Sequence, residues 1–136
     1  VLTPKHGGLH RIAVNDNGDM TRIKWPDQLA ISVPVDGESA PASSGTFYFY
    51  VPAGTKTLGY YAKLNRGHLV APNGKTVRNL AKTNGFYSDP VPAGMDGKVW
   101  ELRVNNGVVR LLTVPSNLSL NASQLLLPAE IAKDVK

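Results

Sequence analysis

Apolar and polar residues alternate in short runs along most of this chain, and the alternation is densest over residues 46–64, TFYFYVPAGTKTLGYYAKL. Residues 46–51 are aromatic and β-branched, the composition of a strand. Pro52-Ala53-Gly54-Thr55 predicts a turn, because proline presets φ and glycine accepts a positive one. Residues 56–64 predict a return strand. The loop length pairs Val51 with Lys56 and Phe49 with Leu58. On that register Phe47, Phe49, Val51, Leu58, Tyr60 and Ala62 share one face. Tyr48, Tyr50, Gly59 and Tyr61 share the other. The first set reads as core, the second as a cluster of tyrosines around a glycine.

The motif recurs. Val91-Pro92-Ala93-Gly94 repeats Val51-Pro52-Ala53-Gly54, and without a gap Phe47 aligns with Tyr87, Tyr60 with Trp100, Ala62 with Leu102 and Leu64 with Val104. All of these fall on the inward face, while Tyr61 aligns with Glu101 and Lys63 with Arg103 on the outward one. Two readings remain: a structural repeat, or two short hairpins obeying the same rules.

The same grammar predicts strands elsewhere. Residues 9–14 and 20–25 flank Asn17-Gly18, a strong hairpin signal. That hairpin sends Ile12, Val14 and Ile23 inward and groups Arg11, Arg22 and Lys24 outward, with Trp25 half buried at a rim. Residues 28–34 predict a third strand, and residues 35–45 an exposed polar loop. Residues 68–71 and 76–80 flank a Pro72-Asn73-Gly74-Lys75 turn, and residues 86–91 lead into the second Pro-Ala-Gly turn. Residues 98–104 and 108–114 predict a last hairpin about Asn106-Gly107, with Arg103 opposite Arg110. Like charges in that position repel, so the pair either leans on Glu101 or serves an anionic ligand. Pro115 ends the strand. Ser123 caps a short helical turn, and residues 128–135 form a final helix; alternatively Leu125, Leu126 and Leu127 form a last strand or a plug over one end of the core.

About eight to ten short strands with regular turn signals predict an all-β fold, an antiparallel β-sandwich of jelly-roll type with a short helical or irregular C-terminal cap. The 136 residues fit one domain spanning 1–136. No apolar run reaches the roughly 18 residues of a membrane span. No basic-then-apolar leader is seen, and the start at Val1 is read as a processed protein or an excised piece of a larger exported one. The expected state is a monomer.

Composition narrows the chemistry. Cysteine is absent, which excludes disulfides, thiolate metal sites and cysteine nucleophiles. Fifteen basic against ten acidic residues give a net charge of +5, which favours acidic partners or surfaces. Asp16, Asn17 and Asp19 place oxygens at the spacing calcium uses, but the same residues make a plain hairpin turn, and no cofactor is expected. His6 and His10 have helical ligand spacing with Gly7-Gly8 between them, which a helix does not favour. No Gly-x-Ser-x-Gly elbow, phosphate loop or His-Glu-x-x-His occurs, so no enzyme activity is expected. Nucleic acid is not expected either, because the cations are spread over the strands and no aromatic single-strand motif appears.

The segment YVPAGTKTLGYYA…HLVAPNGKTV resembles the bacterial pre-peptidase C-terminal type of domain and, more loosely, the jelly-roll accessory modules of secreted polysaccharide-degrading enzymes. The resemblance covers residues 46–114. The aspartate-rich pattern of that family stands here as His68-Leu69-Val70-Ala71, so no metal site carries over. It implies a non-catalytic, exported module covalently linked to a catalytic domain. Rings stack on the C–H faces of sugars while amides and arginines meet the hydroxyls. The expected function is therefore a carbohydrate-binding module that attaches an enzyme to a polysaccharide, with a lean toward acidic chains. The expected site is Tyr48, Tyr50 and Tyr61 around a shallow trough at Gly59. Trp25, beside Arg22 and Lys24, is the alternative platform. The competing expectation is a structural or interaction module with no ligand of its own.

Overall fold

The computed structural model describes residues 3–15, 17–18, 22–34 and 44–127. Its strands are β1 (Val33–Pro34), β2 (Gly45–Val51), β3 (Thr57–Val70), β4 (Thr76–Asn79), β5 (Thr83–Pro90), β6 (Lys98–Leu111) and β7 (Asn117–Leu118), followed by a 3-10 turn at Ala122–Gln124. The protein is all-β and antiparallel. The main sheet runs β2-β6-β3-β4, with β5 also on β3; β1 and β7 form a small second sheet.

β3 and β6 are the frame. They pair along nearly their whole length, from Tyr60 opposite Leu111 to Val70 opposite Glu101. The first half of β3 carries β5 on its far edge and the second half carries β4. The first half of β6 carries β2 on its far edge. Midway, both strands change face together. In β3 the buried set shifts from Leu58, Tyr60, Ala62 and Leu64 to Gly67 and Leu69, and in β6 from Trp100, Leu102 and Val104 to Val109 and Leu111. The step falls at Asn65-Arg66-Gly67 and at Asn105-Asn106-Gly107, related by the same offset as the two Pro-Ala-Gly turns. The sheet bends there. The inner faces of both halves belong to one hydrophobic cluster. Trp100, Phe49 and Val51 in it are 0% exposed, and among the described residues the two halves of the sheet share this core with Val114 and Leu118. The result is a sandwich built from one folded sheet. The repeat is therefore structural: each unit is a strand, a Pro-Ala-Gly turn and a long bent strand, and each unit's first strand adds to the other unit's long one.

Two glycines permit the bend. A Cβ on Gly107, whose φ is +143°, would fall onto the Lys63 carbonyl oxygen, and one on Gly67 would stand 2.8 Å from the Arg103 carbonyl oxygen.

Several expectations are corrected. The inward set from Phe47 to Ala62 is buried as expected, but β2 and β3 are not a hairpin: Phe49 pairs with Trp100, and Leu58 with Asp89. The Pro52–Thr55 turn forms, with the Thr55 amide donating to the Pro52 carbonyl at 3.2 Å, yet it carries the chain across to the other half of the sheet. A turn specifies a reversal, and long-range pairing decides which strand is met. Asn106-Gly107 is no hairpin either, because β6 runs through it. Left-handed backbone at Asn106 and Gly107 serves a kink as well as a turn. Arg103 consequently lies opposite His68 and Thr46, not Arg110. Residues 68–71 are not a separate strand; residues 68–70 are the end of β3.

In the leading arm Asn17 and Gly18 do adopt positive φ, but residues 9–14 and 22–25 form no strands, and Ile12, Val14 and Ile23 are exposed. A two-stranded ribbon without a covering layer has little to hold it. Of residues 28–34 only Val33–Pro34 pair, against Leu118 and Asn117. The C-terminal cap is present: Asn121, rather than Ser123, caps the 3-10 turn, its Oδ1 accepting from the Ser123 amide at 3.0 Å. Leu125 is buried. Residues 128–136, and with them the final helix, lie outside the described residues.

Candidate functional site

Alternation in the half-sheet of β5, β3 and β6 sends Asp89, Tyr87, Tyr60, Ala62, Val109 and Leu111 inward, and therefore sends Phe86, Tyr61 and Arg110 outward. Those three form one row across the strands, Phe86 opposite Tyr61 and Tyr61 opposite Arg110. Phe86 is 78% exposed. Its ring meets the Tyr61 ring edge to face at 5.3 Å between centroids, and the Tyr61 hydroxyl donates to Asn84 Oδ1 at 3.2 Å. Neighbouring rows add Lys63 beside Asn84 and Val108, and Ser88 beside Gly59. The outcome is a partly apolar face, its two rings at 62° to each other, edged by amide, hydroxyl and cationic groups.

The expected trough at Gly59 is filled. Thr113 Cγ2 lies 2.8 Å from where a Gly59 Cβ would stand. Thr113 Oγ1 accepts from the Gly59 amide at 2.8 Å and donates to the Thr57 carbonyl at 3.0 Å.

The three expected tyrosines are not gathered. Tyr61 belongs to this face. Tyr48 sits half buried on β2, opposite Glu101 at the other end of β6, with its backbone bonded to Ser119. Tyr50 is 6% exposed and lines an apolar groove of about 370 Å³ with Leu9, Pro115, Leu125 and Leu126. Trp25 is half buried, and Arg22 and Lys24 are exposed in the leading arm. Asn17 is exposed, with its amide on Asn15 Oδ1 at 3.2 Å, while Asp16 and Asp19 lie outside the described residues. Among the described residues no three histidine or carboxylate side chains gather as a metal site. The His10 ring instead meets the His6 carbonyl at 2.8 Å.

Phe86 was missed although the signal was present: the repeat places Tyr87 inward beside Phe47, which turns its neighbour outward. Arg110 was misplaced because the Asn106-Gly107 kink was read as a turn.

The remaining charged chemistry is internal. Asp89 is 5% exposed. It accepts from the Tyr60 hydroxyl at 2.6 Å and from Arg78 at 2.7–2.9 Å, while the Arg78 guanidinium lies 5.5 Å above the Tyr87 ring. Burial first, and then the bond to Asp89, push the Tyr60 phenol well above its usual range, so it remains a donor. Arg103 bonds Glu101 at 2.8 Å on the opposite half-sheet, the leaning arrangement expected for one arginine of the pair. No family model, no curated protein and no solved structure matches this chain.

Proposed function

We propose that this chain is a non-catalytic carbohydrate-binding module whose platform is the outer face of β5, β3 and β6. The observation that carries the reading is Phe86, a large ring held in open solvent on a strand and braced by Tyr61. The ring gains one contact with Tyr61 but leaves most of its surface in water, whereas a pyranose offers a C–H face of matching size. Asn84, Ser88 and Lys63 stand around the rings to meet hydroxyls. The resemblance to accessory modules of polysaccharide-degrading enzymes agrees with this, and it would imply an exported protein with a catalytic domain alongside. Stacking on one ring is worth about 1–2 kcal/mol. Phe86→Ala should therefore weaken polysaccharide binding roughly tenfold with little change in thermal unfolding. Affinity electrophoresis on a panel of neutral and acidic polysaccharides measures it; no retardation on any of them rejects the proposal.

A second reading is an interaction module that docks within a larger protein. Leu9, Ile12, Val14, Ile23 and Leu29 are all exposed along the leading arm, which favours it. That reading expects no retardation on the panel, and it expects deletion of residues 1–15 to leave the sheet folded.

A further inference from the structure

The platform's charges all have one sign. Its outward positions are Thr57, Gly59, Tyr61 and Lys63 on β3, Asn84, Phe86, Ser88 and Pro90 on β5, and Val108 and Arg110 on β6. No aspartate or glutamate is among them; Asp89 faces inward and is held by Arg78 and Tyr60. Arg110 is the unusual member. Among the described residues its Nε is buried without a hydrogen-bond partner and its guanidinium pairs with no acid. An orphaned buried donor costs free energy. The register sets Arg110 beside Tyr61 and two strand spacings, about 10 Å, from Phe86. Lys63 lies diagonally across from it, about 7–8 Å away between backbones. A pyranose that stacks on Phe86, with the Tyr61 ring at 62° beside it, thus places the substituents of the same or the next sugar against two cations.

We infer that this platform selects anionic sugars: Arg110, aided by Lys63, receives the carboxylate of a uronate or the sulfate ester of a sulfated residue while Phe86 and Tyr61 hold the pyranose faces. The inference rests on the carbohydrate reading above and names its substrate class. A planar guanidinium matches a carboxylate through two parallel N–H donors, which a lysine cannot reproduce. The uronate is the occupant this geometry favours.

The experiment compares polygalacturonate, the same backbone fully methyl-esterified, and dextran sulfate, with binding of the full chain measured by calorimetry at low and high salt. Wild-type protein should bind polygalacturonate at least about tenfold more tightly than the ester, and added salt should weaken only the charged interactions. Arg110→Gln should remove that preference, so that polygalacturonate and the ester bind alike; thermal unfolding recorded alongside separates this from any effect of losing the buried Nε. Arg110→Lys should restore part of it. Phe86→Ala should weaken all binding. Binding to dextran sulfate alone, lost in both Arg110→Gln and Phe86→Ala, supports the sulfate ester as the source. The inference is overturned, with the carbohydrate reading intact, if Arg110→Gln binds polygalacturonate as wild type does while Phe86→Ala does not. It is also overturned if dextran sulfate binds equally to wild type and Phe86→Ala, which is unspecific attraction between polyions. If no polysaccharide binds at all, the carbohydrate reading falls, and this inference falls with it.

Discussion

Asp89 is the residue on which the interior's polarity turns. A carboxylate at 5% exposure is tolerable only while Arg78 and Tyr60 supply donors. Arg78 is itself partly open to solvent, with a side-chain exposure of 37%, so part of its attraction is screened. Truncating it still strands a buried charge. Arg78→Met should cost about 2–3 kcal/mol in urea unfolding. Tyr60→Phe should cost only about 1 kcal/mol, since one donor is lost and the guanidinium remains. Comparable losses would mean that the hydroxyl, not the ion pair, is the main support. None of this was legible beforehand. In the sequence Asp89 is only the residue before Pro90 and the second Pro-Ala-Gly turn, and only the folded register brings β4 and β5 together along one edge of β3.

The element that defines the molecule is the bent pair β3 and β6. Gly107→Ala would drive a methyl group into the Lys63 backbone at a φ of +143°, and backbone cannot yield as a side-chain tip can. A loss of about 3 kcal/mol or more is expected, read as a lower urea midpoint. Gly54→Ala, where an added Cβ meets nothing within 4 Å, should cost only the smaller penalty of its positive φ, about 1 kcal/mol. Equal effects at the two sites would remove close strand approach as the reason for the bend. This is also where sequence reading reached its limit. Alternation identified the inward faces of Phe47 through Ala62 and of Trp100 through Val104 because burial imposes period two whichever strand is the neighbour. Pairing was not legible. A Pro-Ala-Gly turn looks alike whether it joins adjacent strands or spans two halves of a sheet, and an Asn-Gly step looks alike as a turn or a kink. The tyrosine cluster inherited that ambiguity: Tyr48, Tyr50 and Tyr61 share a face only on the hairpin register.

At the scale of the whole molecule, the two repeat units are tied where their turns meet. The Gly54 amide donates to Asp96 Oδ2 at 2.7 Å. That bond, then the bond to its own backbone amide, with Lys56 and Lys98 nearby, hold the Asp96 carboxyl below its ordinary value of 3.8. A carboxylate whose folded value is depressed stabilises the fold above its unfolded value and loses that contribution as pH falls. The unfolding temperature should therefore drop more steeply below about pH 4 in the wild type than in Asp96→Asn; parallel curves would show that the link between turns carries no pH dependence. The duplication has a further consequence for valency. In the other half-sheet the row matching Phe86, Tyr61 and Arg110 is Tyr48, Glu101 and Val70, with a half-buried ring, a carboxylate engaged by Arg103 and no cation in the arginine's place. Among the described residues, the two copies of the architecture thus carry the proposed platform once. On that proposal each chain would grip a polymer once, and any tenacity beyond the affinity of one face would have to come from several such chains, or several such units in one parent, engaging the same strand together.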